Sequence, residues 1–327
     1  MAQFWLQIGL IGLGAGAASA LLFASVLSGS ILSVVLFYLA PLPILIAAIG
    51  WSHWAGLSAA LAAALGLGLA FGIVLFPAFL ISVGLPAWWL GYLALLARPA
   101  ASAGEMEWYP PGRLVVWAAI LGAMVIMVAL TLFGGDEATA QVKALLRNAF
   151  ERMPRSQTDI PAGEAPAIPG VSDPDRRIDI LVALIPPGAA VLATITQLLV
   201  LWLAARIVKI SGRLKRPWPD LAAMRFPAAT PFVLVAAIAG SFLPNIMGVG
   251  AAVLAASLLV AHAALGFAVL HGITRRLQSR SIVLVGVYTA VVIFVWPALL
   301  VALLGLIDTA LDLRTRLAAR GPPAPLA

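Results

Sequence analysis

No Lys, Arg, Asp or Glu occurs before Arg98. A run of 97 residues without a formal charge cannot form a water-exposed domain, in which roughly a quarter of side chains are charged. The rest of the chain agrees: of 327 residues, 63% are hydrophobic and 10% are charged, with a mean hydropathy of +1.06. Disorder is excluded by the same figures, because it needs low hydrophobicity and high net charge. The chain reads as an integral membrane protein of the all-α class, a polytopic bundle of transmembrane helices.

About 20 apolar residues span the hydrocarbon core as a helix. The uncharged start divides into four such segments, 4–27, 31–49, 54–76 and 77–97. The breaks are SGS at 28–30, GWSH at 50–53 and the Phe76–Pro77 step, where proline ends or kinks a helix. A polar stretch at 98–113 precedes a fifth segment, 114–133. The second half holds 178–208, interrupted by Pro186–Pro187, then 229–242 and 246–273 around Leu243-Pro244-Asn245, and a last apolar stretch from 281 to 307. The total comes to about 8–10 membrane segments. Four regions follow: an N-terminal transmembrane bundle (1–133), a polar loop (134–177), a C-terminal transmembrane bundle (178–314) and a tail (315–327).

Within the loop, Val142, Leu145, Leu146, Ala149, Phe150 and Met153 recur at helical spacing, with Lys143, Arg147, Asn148 and Glu151 off the stripe. This predicts an amphipathic helix over 136–153 that caps the bundle through Val142, Leu146 and Phe150, or else lies on lipid. The residues after it are rich in proline and read as an extended linker.

Net charge is +7. In a membrane protein such an excess marks Lys and Arg retained in the cytoplasm rather than nucleic-acid binding. Arg206, Lys209, Arg213, Lys215, Arg216 and Arg225 stand against the single acid Asp220, and Arg275, Arg276 and Arg280 form a second basic loop. If 281–307 crossed once, the clusters at 275–280 and 314–320 would lie on opposite sides. A bend at Trp296–Pro297 gives two short helices, 281–295 and 297–313, and keeps both clusters inside. Counting back puts loop 134–177, nearly balanced in acids and bases, outside and both termini in the cytoplasm of a cell inner membrane. The N-terminus MAQFWLQIGL lacks the positive region of a cleavable signal, so the first apolar segment is expected to be retained.

Three runs carry a resemblance: RPWPDLAAMRFP (216–227), LGFAVLHGITRRL (265–277) and PALLVALLGLIDTALDLRTR (297–316), with YLAPLPILIAAIGW (38–51) also fitting. The chain resembles the YybS-like family of bacterial polytopic membrane proteins, itself distantly similar to the substrate-binding S components of energy-coupling-factor transporters. That resemblance implies a membrane-embedded small-molecule site and small residues on the first helix for docking a partner protein.

The candidate site residues are few. GLGAGAA at 12–18 lacks the strand and the acid some 20 residues on that a dinucleotide fingerprint needs. Gly12, Gly16 and Ala20 instead share one helix face and allow close backbone approach, for packing within the chain or for a partner. Thr194 and Gln197 share a face beyond Pro186–Pro187, where unwound backbone would line a cavity; hydrogen bonding between helices is the plainer alternative. Asp308 and Asp312 lie one turn apart on one face and repel. The plain reading is a salt-bridge cluster with Arg275, Arg276 or Arg314, the functional one a docking site. Since Arg314 follows Asp308 by six and points away on one helix, the two acids are expected to recruit basic residues of 206–225 or 275–280, with Arg275 and Arg276 best placed for Asp308. His262 and His271 fall on opposite faces, His53 sits in a turn between tryptophans, and the cysteine count is zero. No cofactor, metal site or enzymatic activity is expected. No acid lies at mid-membrane depth in the other segments, which disfavours autonomous proton-coupled transport. Expectation therefore divides between a small-molecule binding or transport-associated component without its own energy source and a membrane scaffold in envelope biogenesis. The partners are the lipid bilayer, a membrane protein or an unidentified small molecule, and no nucleic acid.

Overall fold

A computed structural model describes residues 2–100, 105–151 and 169–319. The fold is an all-α polytopic bundle. Seven helical stretches are long and apolar enough to cross a membrane, and three shorter apolar helices join them among the described residues. Helix α1 (Ala2–Ala24) leads to α2 (Ile31–Tyr38), α3 (Pro41–Gly50) and α4 (His53–Phe71). The divisions use simple local chemistry. Gly29 takes a left-handed φ of 66°, and the Ser30 and Ser52 hydroxyls accept from the backbone N–H of Ser33 and Ala55 to cap α2 and α4.

The expected break at Phe76–Pro77 lies elsewhere. Helix α4 ends at Gly72, whose φ of 112° is one that only glycine adopts readily. Pro77 sits in the short α5 (Leu75–Phe79), where the first turn needs no N–H. A π-turn at Leu80–Gly84 continues into α6 (Leu85–Leu95). The polar stretch then forms the two strands β1 (Ala97–Pro99) and β2 (Met106–Trp108), antiparallel with Arg98 opposite Glu107.

Helix α7 (Pro111–Phe133) precedes α8 (Asp136–Glu151). Helix α8 packs on α9 (Pro174–Ile210), with Val142, Leu146 and Phe150 half-buried and Leu145 67% exposed, so the stripe is only partly covered. Lys143 and Arg147 reach Asp179 and Asp175 of α9, each at 2.6 Å. Met153 and the linker lie outside the described residues. Pro186 and Pro187 do not break α9, which runs through them for 37 residues. They remove only their own two donors, and the hydrogen-bond ladder resumes on either side. At 1.5 Å per residue α9 is about 55 Å long, well beyond a hydrocarbon core of about 30 Å. Its ends therefore project, one beside α8 and the other into the basic segment after Ile210.

Helix α10 (Thr230–Gly240) and α11 (Asn245–Ile273) follow, then α12 (Arg280–Phe294), α13 (Pro297–Leu311) and α14 (Leu313–Ala319). The bend between α12 and α13 falls at Val295, with φ 59°, immediately before Trp296–Pro297. Two main cores result. Ile44, Leu45, Ile49, Leu67, Phe79 and Leu90 pack with Val200 and Val208 of α9. Leu234, Leu258, Leu265 and Val269 pack with Met224 and Phe226. Helix α7 gives Ala118 to the first core and Ala119 to the second.

Candidate functional site

Between these cores, α7, α9, α11 and the segment after α9 leave a cleft of about 770 Å³. Its wall is apolar and comes mainly from three helices, through Leu114 and Val115 of α7, Leu198 and Leu201 of α9, and Phe267 and Ala268 of α11, with Ile49 of α3 and Ala94 of α6 at its edge. Its rim is polar and comes from the two basic segments, through Arg216, Asp220, Arg275 and Arg280 with His271 and Tyr288. Volume and lining match the usual ligand pocket, mostly apolar with a few convergent polar groups.

Each rim residue has a defined setting. Tyr288 of α12 stacks on Phe267 with ring centroids 4.9 Å apart and planes 7° from parallel. Its hydroxyl lies 2.9 Å from His271 Nε2. Arg280 Nη2 donates to His271 Nδ1 over 3.4 Å. That bond makes Nδ1 the acceptor, so Nε2 carries the hydrogen and donates to Tyr288. Arg275 Nη2 contacts both carboxylate oxygens of Asp220, at 2.6 and 2.7 Å. The Arg275 guanidinium, together with the Ala222 N–H, holds the Asp220 carboxyl below its ordinary range. Arg216 Nη1 and Nη2 donate to the carbonyls of Ala94 and Tyr109, and burial pushes its pKa down.

The strip 220–225 closes this side of the cleft and is tied from three directions. Arg275 holds Asp220. Arg314 Nη1 and Nη2 donate to the carbonyls of Ala222 and Met224, at 2.7 and 2.6 Å. Arg225 Nη1 donates to Asp312 over 2.8 Å and Nη2 to Thr315 over 2.9 Å.

Asp308 is buried and its partner is Arg314, at 2.7 Å, with side chains 4% and 12% exposed. Partnership with Arg275 or Arg276 is thus corrected for Asp308, since Arg275 is taken by Asp220; the side chain of Arg276 lies outside those described. A spacing of six points away on a continuous helix, but Asp312 takes the left-handed conformation (φ 49°), ends α13 and turns Arg314 back. Asp312 itself pairs with Arg225.

The other predicted residues lie away from the cleft. A Cβ on Gly12 would fall on Ser58 Oγ, and one on Gly16 would lie 2.7 Å from the Ala59 carbonyl, so this face is filled by α4. Ala20 packs against the first core. Thr194 is buried against Gly122 and donates to Ala190 of its own helix rather than across helices. Gln197 Oε1 is buried without a partner and does not line the cleft. His262 is buried where α11 meets Gly305 of α13. Among the described residues no group of three His, Cys, Asp or Glu is placed to hold a metal ion.

The sequence reading missed the cleft itself. Arg216, Trp218 and Asp220 enter the sequence reading through the basic segment and the run RPWPDLAAMRFP, not as residues of a site. The signal that could have found them is Trp-Pro-Asp within a run of cations, where proline keeps the chain out of a helix and a single carboxylate stands among arginines.

Residues 17–309 match a family described as predicted membrane protein, DUF2232. The chain belongs to this family. The match covers every wall of the cleft. No curated protein and no solved structure matches this DUF2232 chain.

Proposed function

We propose that this DUF2232 protein binds a small hydrophobic molecule in the cleft between α7, α9 and α11, as a transport-associated component that takes its energy from a partner. The observation that carries this reading is the cleft: an apolar wall with a convergent polar rim, held open beneath a strip that ion pairs fix in place. The resemblance to the YybS-like family and, more distantly, to transporter S components supports the same reading. So does the lack of Lys, Arg, Asp and Glu before Arg98, because driving a proton or ion through a bundle generally uses intramembrane charge.

The proposed orientation puts the rim at the cytoplasmic face of an inner membrane, with both termini on that side and 134–177 outside. Support comes from the basic residues that gather around the rim. Single cysteines at Ser172, Ser211 and Gln278 in this cysteine-free chain test it with an impermeant thiol reagent on intact cells. Labelling of Ser172→Cys alone is expected; labelling of all three from one side overturns the orientation.

The binding reading is tested by mass spectrometry of small molecules that co-purify with the full chain. A stoichiometric hydrophobic ligand is expected, and it should be lost from Ala205→Trp and Ala264→Trp, which fill the cleft from α9 and α11. Equal occupancy in folded cleft-filled variants refutes the site.

A further inference from the structure

We propose that the cleft takes a phosphate-bearing amphiphile, with its anionic head against Arg216 and the cationic rim and its chain along the apolar wall. This inference rests on the cleft being a ligand site and adds the chemical class of the ligand. Its starting point is a mismatch in charge. Three arginines line the cleft against one carboxylate, Asp220, so two positive charges are in excess. Asp220 is engaged by Arg275. Among the described residues the polar contact of Arg280 is with His271, and those of Arg216 are with the two carbonyls and the ring of Trp108, 5.9 Å away.

Arg216 is the sharper case of the two. It is half-buried, and its Nε is fully buried without any hydrogen-bond partner. Arginine does not lose its proton in proteins, so the guanidinium stays charged there. The carbonyls of Ala94 and Tyr109 satisfy two of its nitrogens by capping the end of α6 and the strand beside it. They bring partial charges and no counter-ion. A half-buried cation with no counter-ion is costly, and an anion arriving through the cleft would supply the missing charge beside the guanidinium.

The rest of the lining selects the kind of anion. A phosphomonoester carries about −1.5 to −2 charges near neutral pH, close to the excess on the rim, and its oxygens suit a guanidinium fork. A fatty carboxylate brings about half that charge. Inorganic phosphate brings the charge but leaves Leu114, Val115, Leu198, Leu201 and Phe267 without a partner. A phosphorylated lipid and a soluble phosphorylated molecule share the head chemistry, and the apolar wall favours the lipid.

The test uses the full chain in maltoside micelles, with dodecyl phosphate as probe and dodecanol and inorganic phosphate as controls, read by native mass spectrometry and thermal shift. One dodecyl phosphate per chain is expected, bound at least ~10-fold more tightly than either control, a difference of about 1.4 kcal/mol. Arg216→Gln should weaken dodecyl phosphate at least ~10-fold and leave dodecanol unchanged. Because Arg216 also caps α6, Arg216→Lys and the exposed Arg280→Gln are included. Both should fold, and both should bind dodecyl phosphate less tightly than the parent. Dodecanol binding as tightly as dodecyl phosphate overturns the anionic head while leaving the cleft reading intact. Inorganic phosphate binding as tightly overturns the lipid and points to a soluble phosphorylated ligand. Binding of none of the three to folded protein overturns both readings. Full dodecyl phosphate affinity in folded Arg216→Lys and Arg280→Gln overturns the assignment of the head to this rim.

Discussion

The helices before Arg98 and the strip at 220–225 solve the same problem by opposite means. In the first region Ala59, Ala60, Ala63 and Ala64 of α4 are fully buried, and Gly12 and Gly16 let α1 approach until no side chain fits between. Lipid supplies little hydrophobic drive for helix association, so close van der Waals approach is what remains. The buried Ser19 hydroxyl donates to the Ala40 carbonyl over 2.5 Å, so a side chain and a carbonyl of neighbouring helices satisfy each other without any charge. The strip at 220–225 has no regular helix to close its backbone beyond a single 3₁₀ turn. Its carboxylate is taken by Arg275, in the turn just after α11, and its carbonyls by Arg314 of α14, while its own Arg225 reaches out to Asp312. Shape holds the one and charge holds the other, which also makes the second region the one that a ligand or a change of solution can alter.

The largest effect should come from the buried ion pair. Asp308→Asn leaves the Arg314 guanidinium without its counter-ion at a site where both side chains are nearly inaccessible. Breaking such a pair costs about 3–5 kcal/mol, so a large fall in melting temperature in detergent is expected. A double-mutant cycle should couple Asp308 to Arg314 and not to Arg275. Coupling to Arg275 instead would break the assignment of separate partners to Asp308 and Asp220.

Next in size is the steric test. A Cβ on Gly266 would fall on the carbonyl of Val301, and one on Gly305 on that of His262, so α11 and α13 touch through backbone. Gly266→Val or Gly305→Val should destabilise by about 1–3 kcal/mol or more, as overpacking does. Gly14→Val, on the open face of α1 where nothing lies within 4 Å, should change melting far less. Equal losses at Gly14 and Gly266 would mean that the open face of α1 is covered by a partner, the docking role that its small residues allow. Gly16→Val should resemble Gly266→Val, because its Cβ meets the Ala59 carbonyl.

How much of this was legible in sequence follows the same division. Apolar length and Pro or Gly breaks are local signals, so every segment from 4–27 to 297–313 has a helical counterpart. Where two local signals competed, the sequence misled. Gly72 rather than Pro77 ends α4, because a backbone at φ 112° forces a turn whereas proline at a first turn continues a helix. Pro186–Pro187 were read as a break, yet they cost α9 only two donors. Asp312 pairs with Arg225, inside the expected 206–225 segment, whereas the partner of Asp308 differs through one residue: treating 297–316 as one helix hides the left-handed turn at Asp312 that brings Arg314 back. The apolar wall of the cleft is not legible in the sequence. It exists between helices far apart in the chain, and nothing in Leu114, Leu198 or Phe267 taken singly separates a lining residue from a core residue.

The smallest effects, and the most selective, concern the exposed ion pairs. Asp220 with Arg275 and Asp312 with Arg225 are each about half exposed. Both carboxyls sit below their ordinary value of 3.8, through hydrogen bonds from Arg275 and from Arg225 with Thr315 respectively. A lowered folded-state value means that the stabilising contribution is present at pH above about 4 and is lost as pH falls through the depressed values. Acidification should therefore loosen 220–225 while leaving α1 and α4, which carry no carboxylate at all, unchanged. Salt should act in the same direction, because the Debye length shrinks from about 10 Å at 0.1 M to about 3 Å at 1 M and exposed pairs are screened. Hydrogen exchange followed by proteolysis checks both, with exchange at Leu221–Ala223, corrected for its intrinsic pH dependence, rising severalfold as pH falls through the depressed values, or in 1 M salt, and exchange across Ala59–Ala64 constant. The salt arm separates loss of ion pairing from general acid unfolding, because high salt at neutral pH protonates nothing. If 1 M salt leaves 220–225 as protected as before, the strip is held by the Arg314 bonds to the Ala222 and Met224 carbonyls, and the exposed pairs only decorate it. If α1 and α4 loosen together with the strip, the two regions do not open independently, and the division between shape and charge fails.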